Sequence, residues 1–219
     1  MSSAPVAVFD LDGTITRTDS FRSFIRAAAL PRHPAALLAL PRAILRARGN
    51  VAARGAVKEA VMDLLHGGRP RARLEAMAAR FTAQLLDRLV KPGAARAIAD
   101  HREAGTRLLL ATASPDLWAN PIGAALGFEA VLATRLAWTS DGRFAGRFDG
   151  PNLLGEAKAR AVRAWMDAEA GGATPAHAYT DHHHDLPMLL LAAAPVAVDP
   201  TPGLAEEAAR RGIPVVRWG

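Results

Sequence analysis

The chain contains no cysteine, so disulfides, thiolate nucleophiles and cysteine metal ligands are all excluded from its chemistry. It also lacks any run of about 18 uncharged apolar residues, the length a membrane-spanning helix requires. No basic leader opens the segment Met1 to Thr14, whose apolar stretch closes on carboxylates, whereas a secretory signal is built differently. Internal repeats and low-complexity linkers are missing too. A cytoplasmic globular protein without stable membrane insertion is expected.

Lysine is nearly absent: of 27 basic residues only Lys58, Lys91 and Lys158 are lysine. The formal charge is +6, and a basic field attracts polyanions such as nucleic acid. Here, however, the arginines are spread along stretches of helical pattern instead of forming one run. They read as solvated helix faces around at most a local site for an anionic or phosphorylated ligand, and nucleic acid is not an expected partner.

What is present is enough apolar residue, half of 219, for one substantial core with a small accessory domain. Val6 to Phe9 reads as a buried strand, and Gly13-Thr14 as the turn after it. From Ser20 to Leu89 the pattern is helical, with segments near 20–30, 34–47, 51–66 and 71–89 punctuated by Pro31, Pro34, Pro41, Gly49, Gly67, Gly68 and Pro70. After Pro92-Gly93 the rhythm alternates. A helix at 93–104 leads to a strand at Arg107 to Ala111, a helix from Pro115-Asp116 to Gly127, and a short strand at Ala130 to Ala133. A hairpin over Leu136 to Phe148 turns at Asp141-Gly142. Helices at 155–170, 185–194 and 203–211 then alternate with strands at 176–180, 196–198 and 213–216. Such alternation predicts an α/β fold, a sheet with helices on both faces. The helical stretch 16–90 interrupts it as a cap inserted after the first strand, leaving 1–15 and 91–219 as the core.

Ligands of open α/β sheets gather beyond the carboxyl ends of the strands, and polar residues cluster at those ends: Asp10/Asp12/Thr14, Thr112/Ser114 and Asp181/Asp185, with Lys158 near a helix start. Asp10 and Asp12, two residues apart, can flank one small site, where their repulsion calls for a cation or a shared proton. Asp before Gly is also a common turn former, but the recurrence of Asp181 and Asp185 favours a site. Asp10 then reads as nucleophile and metal ligand. Asp12 supplies a backbone oxygen to the metal and a side-chain acid/base, and Asp181 is the third ligand of a Mg2+ ion. Asp185, one turn on, can hold a metal-bound water or orient Lys158, or serve only as a helix cap. Lys158 can supply a charge to phosphate and restrain Asp10. Thr112 and the Ala113 N–H can bind phosphate, and Ser114 can share that duty or cap the following helix. His182-His183-His184 invites a zinc reading, yet adjacent residues rarely converge on one ion. Lining the magnesium site, with His182 as a substrate contact, is the preferred role.

The runs Asp10-Leu11-Asp12-Gly13-Thr14-Ile15, Leu110-Ala111-Thr112-Ala113-Ser114-Pro115, Gly155-Glu156-Ala157-Lys158 and Asp181-His182-His183-His184-Asp185-Leu186-Pro187 together resemble the haloacid dehalogenase-like hydrolases. The phosphoserine-phosphatase-like branch with a small helical (C1-type) cap is the nearest likeness, and Gly146 to Pro151 is similar to it as well. The resemblance implies a Rossmann-like three-layer α/β/α core, Mg2+, and hydrolysis of a small phosphomonoester through an aspartyl-phosphate on Asp10. It places Thr112 on the phosphate, Lys158 beside the nucleophile and Asp181 on the metal. Asp19 falls where relatives that cleave phosphoserine carry an acid for the substrate ammonium, though it can also cap the helix from Ser20. His182 and Thr112-Ala113 depart from the phosphoserine phosphatase pattern, so histidinol phosphate is a second candidate substrate. Arg22, Arg26, Arg46 and Arg54 are the cap candidates for anionic contact. Phosphotransfer to another acceptor, a lipid substrate such as phosphatidylglycerol phosphate met by the Arg/Ala/Leu stretch at 35–48, and an inactive binding protein are the competing readings.

Overall fold

The computed structural model describes residues 4–29 and 51–219. The expected helix at 34–47, the breakers Pro31, Pro34, Pro41 and Gly49, and Arg46 lie outside the described residues.

Strand β1 (Val6–Phe9) is buried at every position, as a strand covered on both faces requires. Along the chain follow β2 (Arg107–Pro115), β3 (Ala130–Thr134), the antiparallel pair β4 (Leu136–Trp138) and β5 (Phe144–Phe148), then β6 (His177–Thr180), β7 (Ala194–Val198) and β8 (Val215–Val216). Six of them form one parallel sheet in the order β3-β2-β1-β6-β7-β8. Because successive side chains point to opposite faces, Ala7, Phe9, Leu108 and Leu110 join one apolar core, and Val6, Val8, Leu109 and Ala111 join another.

Among the described residues the helices are α1 (Ser20–Ala29), α2 (Val51–His66), α3 (Arg71–Arg88), α4 (Pro92–Glu103), α5 (Asp116–Leu126), α6 (Glu156–Glu169), α7 (Leu186–Leu189) and α8 (Pro202–Arg211). Ala94 and Ile98 of α4 and Trp118 and Ile122 of α5 fill the first core, while Ala159, Val162 and Met166 of α6 and Leu204 and Ala208 of α8 fill the second. The result is the expected three-layer α/β/α arrangement with a helical insertion between β1 and β2. Among the described residues, no helix is long and apolar enough to cross a membrane.

The inserted helices are anchored in two places. Phe24 of α1 stacks on Trp118 of α5 at 4.3 Å between centroids, and Phe81 of α3 meets both rings edge-on. Such pairs each contribute about 0.5–1.5 kcal/mol beyond area burial. At the other end the β4–β5 hairpin holds the insertion: the Phe148 N–H donates to Glu59 at 2.6 Å, and the Phe144 N–H to the Arg69 carbonyl at 2.9 Å. The outgoing and returning connections run side by side, with the Arg17 N–H on the Leu89 carbonyl and the Lys91 N–H on the Ile15 carbonyl.

One expected element is shorter than its composition suggests. Residues 185–194 form a 3-10 turn at His183–Asp185 and the single helical turn α7, and Ala194 already belongs to β7, in register with His177. The alanines there favour helix, but parallel pairing with β6 wins. Strand β2 runs to Pro115, four residues beyond the expected end.

The sheet order places β1 between β2 and β6, so the chain leaves β1 toward one edge and later returns to build the other. The carboxyl ends of β1 and β6 therefore flank a topological switch point, where α/β folds open a crevice.

Candidate active site

Asp10 follows β1 directly, and its N–H donates to the Tyr179 carbonyl of β6 at 3.0 Å, which pins the loop to the sheet. The Lys158 ammonium, on the first turn of α6, lies 2.6 Å from Asp10 Oδ1 and 2.6 Å from Asp185 Oδ2, and all three side chains are almost fully buried. Burial alone would pull Lys158 down, but the two carboxylates outweigh it and push its pKa above the ordinary value. Its charge is therefore held. Asp10 moves the other way: burial pushes its pKa well up, opposed by Lys158 and reinforced by Asp185, Asp181 and Asp12.

Asp181 follows β6 and faces Asp10 across Thr14, whose hydroxyl lies 3.1 Å from Asp181 Oδ1 and 3.3 Å from Asp10 Oδ2. One hydroxyl proton cannot satisfy both. Burial raises the Asp181 pKa to about 6. Gly13 makes the approach possible: it has φ +81, and a Cβ there would sit 2.3 Å from Asp181 Oδ2.

Asp12 turns away from this cluster. Its Oδ1 accepts from the Ser20 N–H at 2.7 Å, and its Oδ2 from the Ser114 hydroxyl at 2.6 Å. Burial, then Asp19, raise its pKa, and the Ser114 and Ser20 donors oppose the rise. Ser114 thus spends its hydroxyl on Asp12, and makes no side-chain cap to α5. Its own N–H donates to Thr112 Oγ1 at 3.0 Å, and the Thr112 hydroxyl proton has no acceptor among the described residues. Thr112 is fully buried toward the carboxyl end of β2, and Ala113 lines the cavity above it.

A cavity of about 910 Å³ opens over these groups. Asp10, Asp12, Lys158, Asp181 and Asp185 line its floor; Asp19, Arg22, Arg26, Arg54 and His182 line its walls, as do Arg17 and His184. Asp19 is committed in part to its own helix, accepting from the Arg22 N–H at 3.0 Å, with the Arg22 guanidinium 3.9 Å away. Arg22 and Arg26 are exposed and Arg54 is half-buried. Burial, then His184 and His183, lower the His182 pKa to about 4, so this wall is neutral imidazole near pH 7. One ring nitrogen from each of His182, His183 and His184 falls within 4.8 Å of the others. However, His182 Nδ1 already accepts the His184 N–H at 3.2 Å, and a cation bound through that ring would have to displace the bond or the Nε2 proton.

Two lysines of the site escape the sequence reading. Lys58 of α2 reaches down from the insertion, donates to the Ala113 carbonyl at 3.1 Å and lies 5.4 Å from the Phe21 ring centroid. Burial lowers its pKa, with Asp12 and Asp19 opposing. Lys91 is buried where the chain returns to the core, bonded to the Gly13 carbonyl and, at 2.9 Å, to Asp199. A signal for both existed: in a chain that uses arginine for its surface, all three lysines gather around this site.

The donor set suits Mg2+. Hard divalent cations take oxygen ligands, and Asp10 and Asp181, crowded beside Asp185, are carboxylates whose ionisation is opposed by burial and by the neighbouring carboxylates. In addition, Asp185 Oδ1 is buried without a hydrogen-bond partner, an orphan that a water on a cation would satisfy.

This chain is similar to several known proteins. It is 32% identical over 193 residues to Protein CicA of Caulobacter vibrioides, covering 88% of this chain and 85% of the relative. It is 30% identical over 142 residues to a histidinol-phosphatase of Neisseria meningitidis serogroup C, covering 63% of this chain and 64% of that one. The crystal structure of a protein of unknown function from Bordetella pertussis Tohama I superposes with a TM-score of 0.85 at 27% identity, covering 98% of this chain and 99% of the other. Solved phosphoserine phosphatases share the fold at 18% to 20% identity. The model of the haloacid dehalogenase-like hydrolases matches residues 7–190, a span that includes every carboxylate and the lysine of the cavity floor. The chain belongs to the haloacid dehalogenase-like hydrolase family and is a hydrolase.

Proposed function

We propose that the protein is a Mg2+-dependent phosphomonoester hydrolase working through an aspartyl-phosphate on Asp10, with residues 16–90 as its cap over a core of 1–15 and 91–219. The observation that carries this reading is Lys158 held at 2.6 Å from both Asp10 and Asp185 beside Asp181. A charged ammonium against one carboxylate oxygen opposes the rise that burial imposes on Asp10 and fixes that carboxylate in direction, as a nucleophile needs. The free Thr112 hydroxyl and the Ala113 N–H suit the equatorial phosphate oxygens. Asp10, the Asp12 carbonyl and Asp181 would hold Mg2+, with Asp185 on a bound water. When bound, the ion would supply neutralisation of the phosphate charge. Asp12 gives a proton to the departing oxygen and later takes one from the attacking water.

The walls bear on the substrate. Asp19 offers a carboxylate to an ammonium, which phosphoserine and histidinol phosphate both carry. Arg22, Arg26 and Arg54 suit a carboxylate, which only a phosphoserine-like compound carries, so that class is favoured, acted on in the cytoplasm where Mg2+ and phosphorylated metabolites occur together. Phosphate release from phosphoserine, histidinol phosphate and simple phosphomonoesters, with Mg2+ and with chelator, tests the reading. Release that needs Mg2+ and falls to background in Asp10→Asn is expected, and full turnover in chelator refutes it.

A further inference from the structure

Behind Asp12 a chain of buried donors has its direction set at both ends. The Trp118 indole N–H lies 3.1 Å from Ser20 Oγ, Ser20 Oγ lies 2.9 Å from Ser114 Oγ, and Ser114 Oγ lies 2.6 Å from Asp12 Oδ2. An indole N–H only donates and an ionised carboxylate only accepts. With Asp12 ionised, Ser20 accepts from Trp118 and must donate to Ser114, which must donate to Asp12; no other assignment satisfies all three contacts in the state that proton delivery leaves behind. Trp118, Ser20 and Ser114 are each fully buried, so water does not compete for these bonds. The Ser20 N–H closes the arrangement on Asp12 Oδ1 at 2.7 Å.

We propose that Ser114 is the positioning residue of the acid/base, with Ser20 and Trp118 fixing the direction of its hydroxyl. The proposal rests on the phosphatase reading above. As the Asp10 oxygen bonds to phosphorus, the bond from phosphorus to the leaving oxygen breaks, and its electron pair goes to that oxygen. The leaving oxygen takes the Asp12 proton, and the new Asp12 carboxylate is met by hydrogens already aimed at it by Ser114 and Ser20. Each carboxyl oxygen has a second lone pair, so these bonds leave room for the proton that is delivered. The Ser114 bond strengthens as charge develops, which makes it worth more in the transition state than in the ground state.

The consequence is selective. An alkyl phosphate releases a basic alkoxide oxygen that needs the proton, whereas p-nitrophenyl phosphate releases a phenolate that leaves without one. In Ser114→Ala the ratio of kcat/KM on an alkyl phosphate such as glycerol phosphate to kcat/KM on p-nitrophenyl phosphate, which reports the steps through formation of the aspartyl-phosphate and excludes its common hydrolysis, is expected to fall by about 10-fold to 100-fold, the rate equivalent of one hydrogen bond to a charged acceptor. Ser114→Thr, which keeps the hydroxyl, should restore the ratio. Ser20→Ala, which removes the bond that aims Ser114, should lower it in the same direction by less. A Ser114→Ala enzyme whose kcat/KM falls in proportion on both compounds overturns the proposal and leaves Ser114 a phosphate contact or a scaffold. If Ser114→Ala does not fold, an unchanged ratio in Ser20→Ala overturns it equally. Should wild-type protein release phosphate from neither compound with Mg2+ present, the phosphatase reading itself fails and the role of Ser114 with it.

Discussion

Removing the charge of Asp181 should stabilise the protein when no metal is bound. Burial raises this carboxyl from 3.8 to about 6, so the unfolded chain gives up the proton first. The stability associated with it is complete below about pH 4 and is lost as pH rises through about 6. At 1.36 kcal/mol per unit the full loss is roughly 3 kcal/mol. Partial solvent access to the side chain reduces this to about 1–3 kcal/mol at neutral pH. Asparagine has nearly the same shape and can still accept from Thr14, but it does not ionise. Asp181→Asn in chelator near neutral pH is thus expected to melt a few degrees to about ten degrees above wild type, since about 1 kcal/mol moves Tm by 2–4 °C in a chain of this size. Near pH 4 the two should melt together. Added Mg2+ should raise the wild-type Tm by mass action and leave the variant unmoved. Thermal unfolding at both pH values, with chelator and with Mg2+, measures all four quantities. A variant less stable than wild type in chelator at neutral pH, or a gap that does not close at pH 4, refutes this account of the cluster.

Lys158→Met should leave Asp10 and Asp185 without their cation, destabilising the fold by about 3–5 kcal/mol in denaturant titrations and abolishing phosphate release. Lys158→Arg should not rescue it, because the ammonium sits in a fully buried slot 2.6 Å from two carboxylates that a guanidinium does not fit. Gly13→Ala should displace Asp181, whose Oδ2 would stand 2.3 Å from the new Cβ, and weaken the Mg2+ dependence of Tm along with stability. Lys58→Met removes the insertion's bond to the Ala113 carbonyl beside the phosphate loop. Its KM for a phosphomonoester should rise by about tenfold while the fold persists, and an unchanged KM would make Lys58 a bystander.

Much of the site was legible because strand ends are punctuated by polarity. An apolar run that stops at Asp10, a second that stops at Thr112 and a third that stops at Asp181 mark three carboxyl ends whatever the register, and parallel topology brings such ends to one side. Lys58 and Lys91 were less legible, since each reaches the site from a segment whose immediate neighbours carry no chemical pattern, and Ser20, beside Asp19, read only as the start of a helix. Ser114 was ambiguous for a different reason: a serine after a strand and before a helix can serve phosphate, helix or side chain, and only the placement of Asp12 and Trp118 selects among them. At 185–194 the alanine-rich composition pointed to helix, and the strand partner that overrides it lies in β6.

By itself, the sequence determined the alternation of buried strands and amphipathic helices, the insertion after the first strand, and the identity of the carboxylates and lysine that end up together. These follow from local rules: side-chain periodicity, breakers, and the polarity of strand ends. The tertiary structure alone decided which groups share a proton or a cation. It put Lys158 between Asp10 and Asp185 while Thr14 spans Asp10 and Asp181, and it turned Asp12 onto Ser20 and Ser114. Hydrogen bonds and pKa shifts depend on distance and burial, and both are properties of the packed chain.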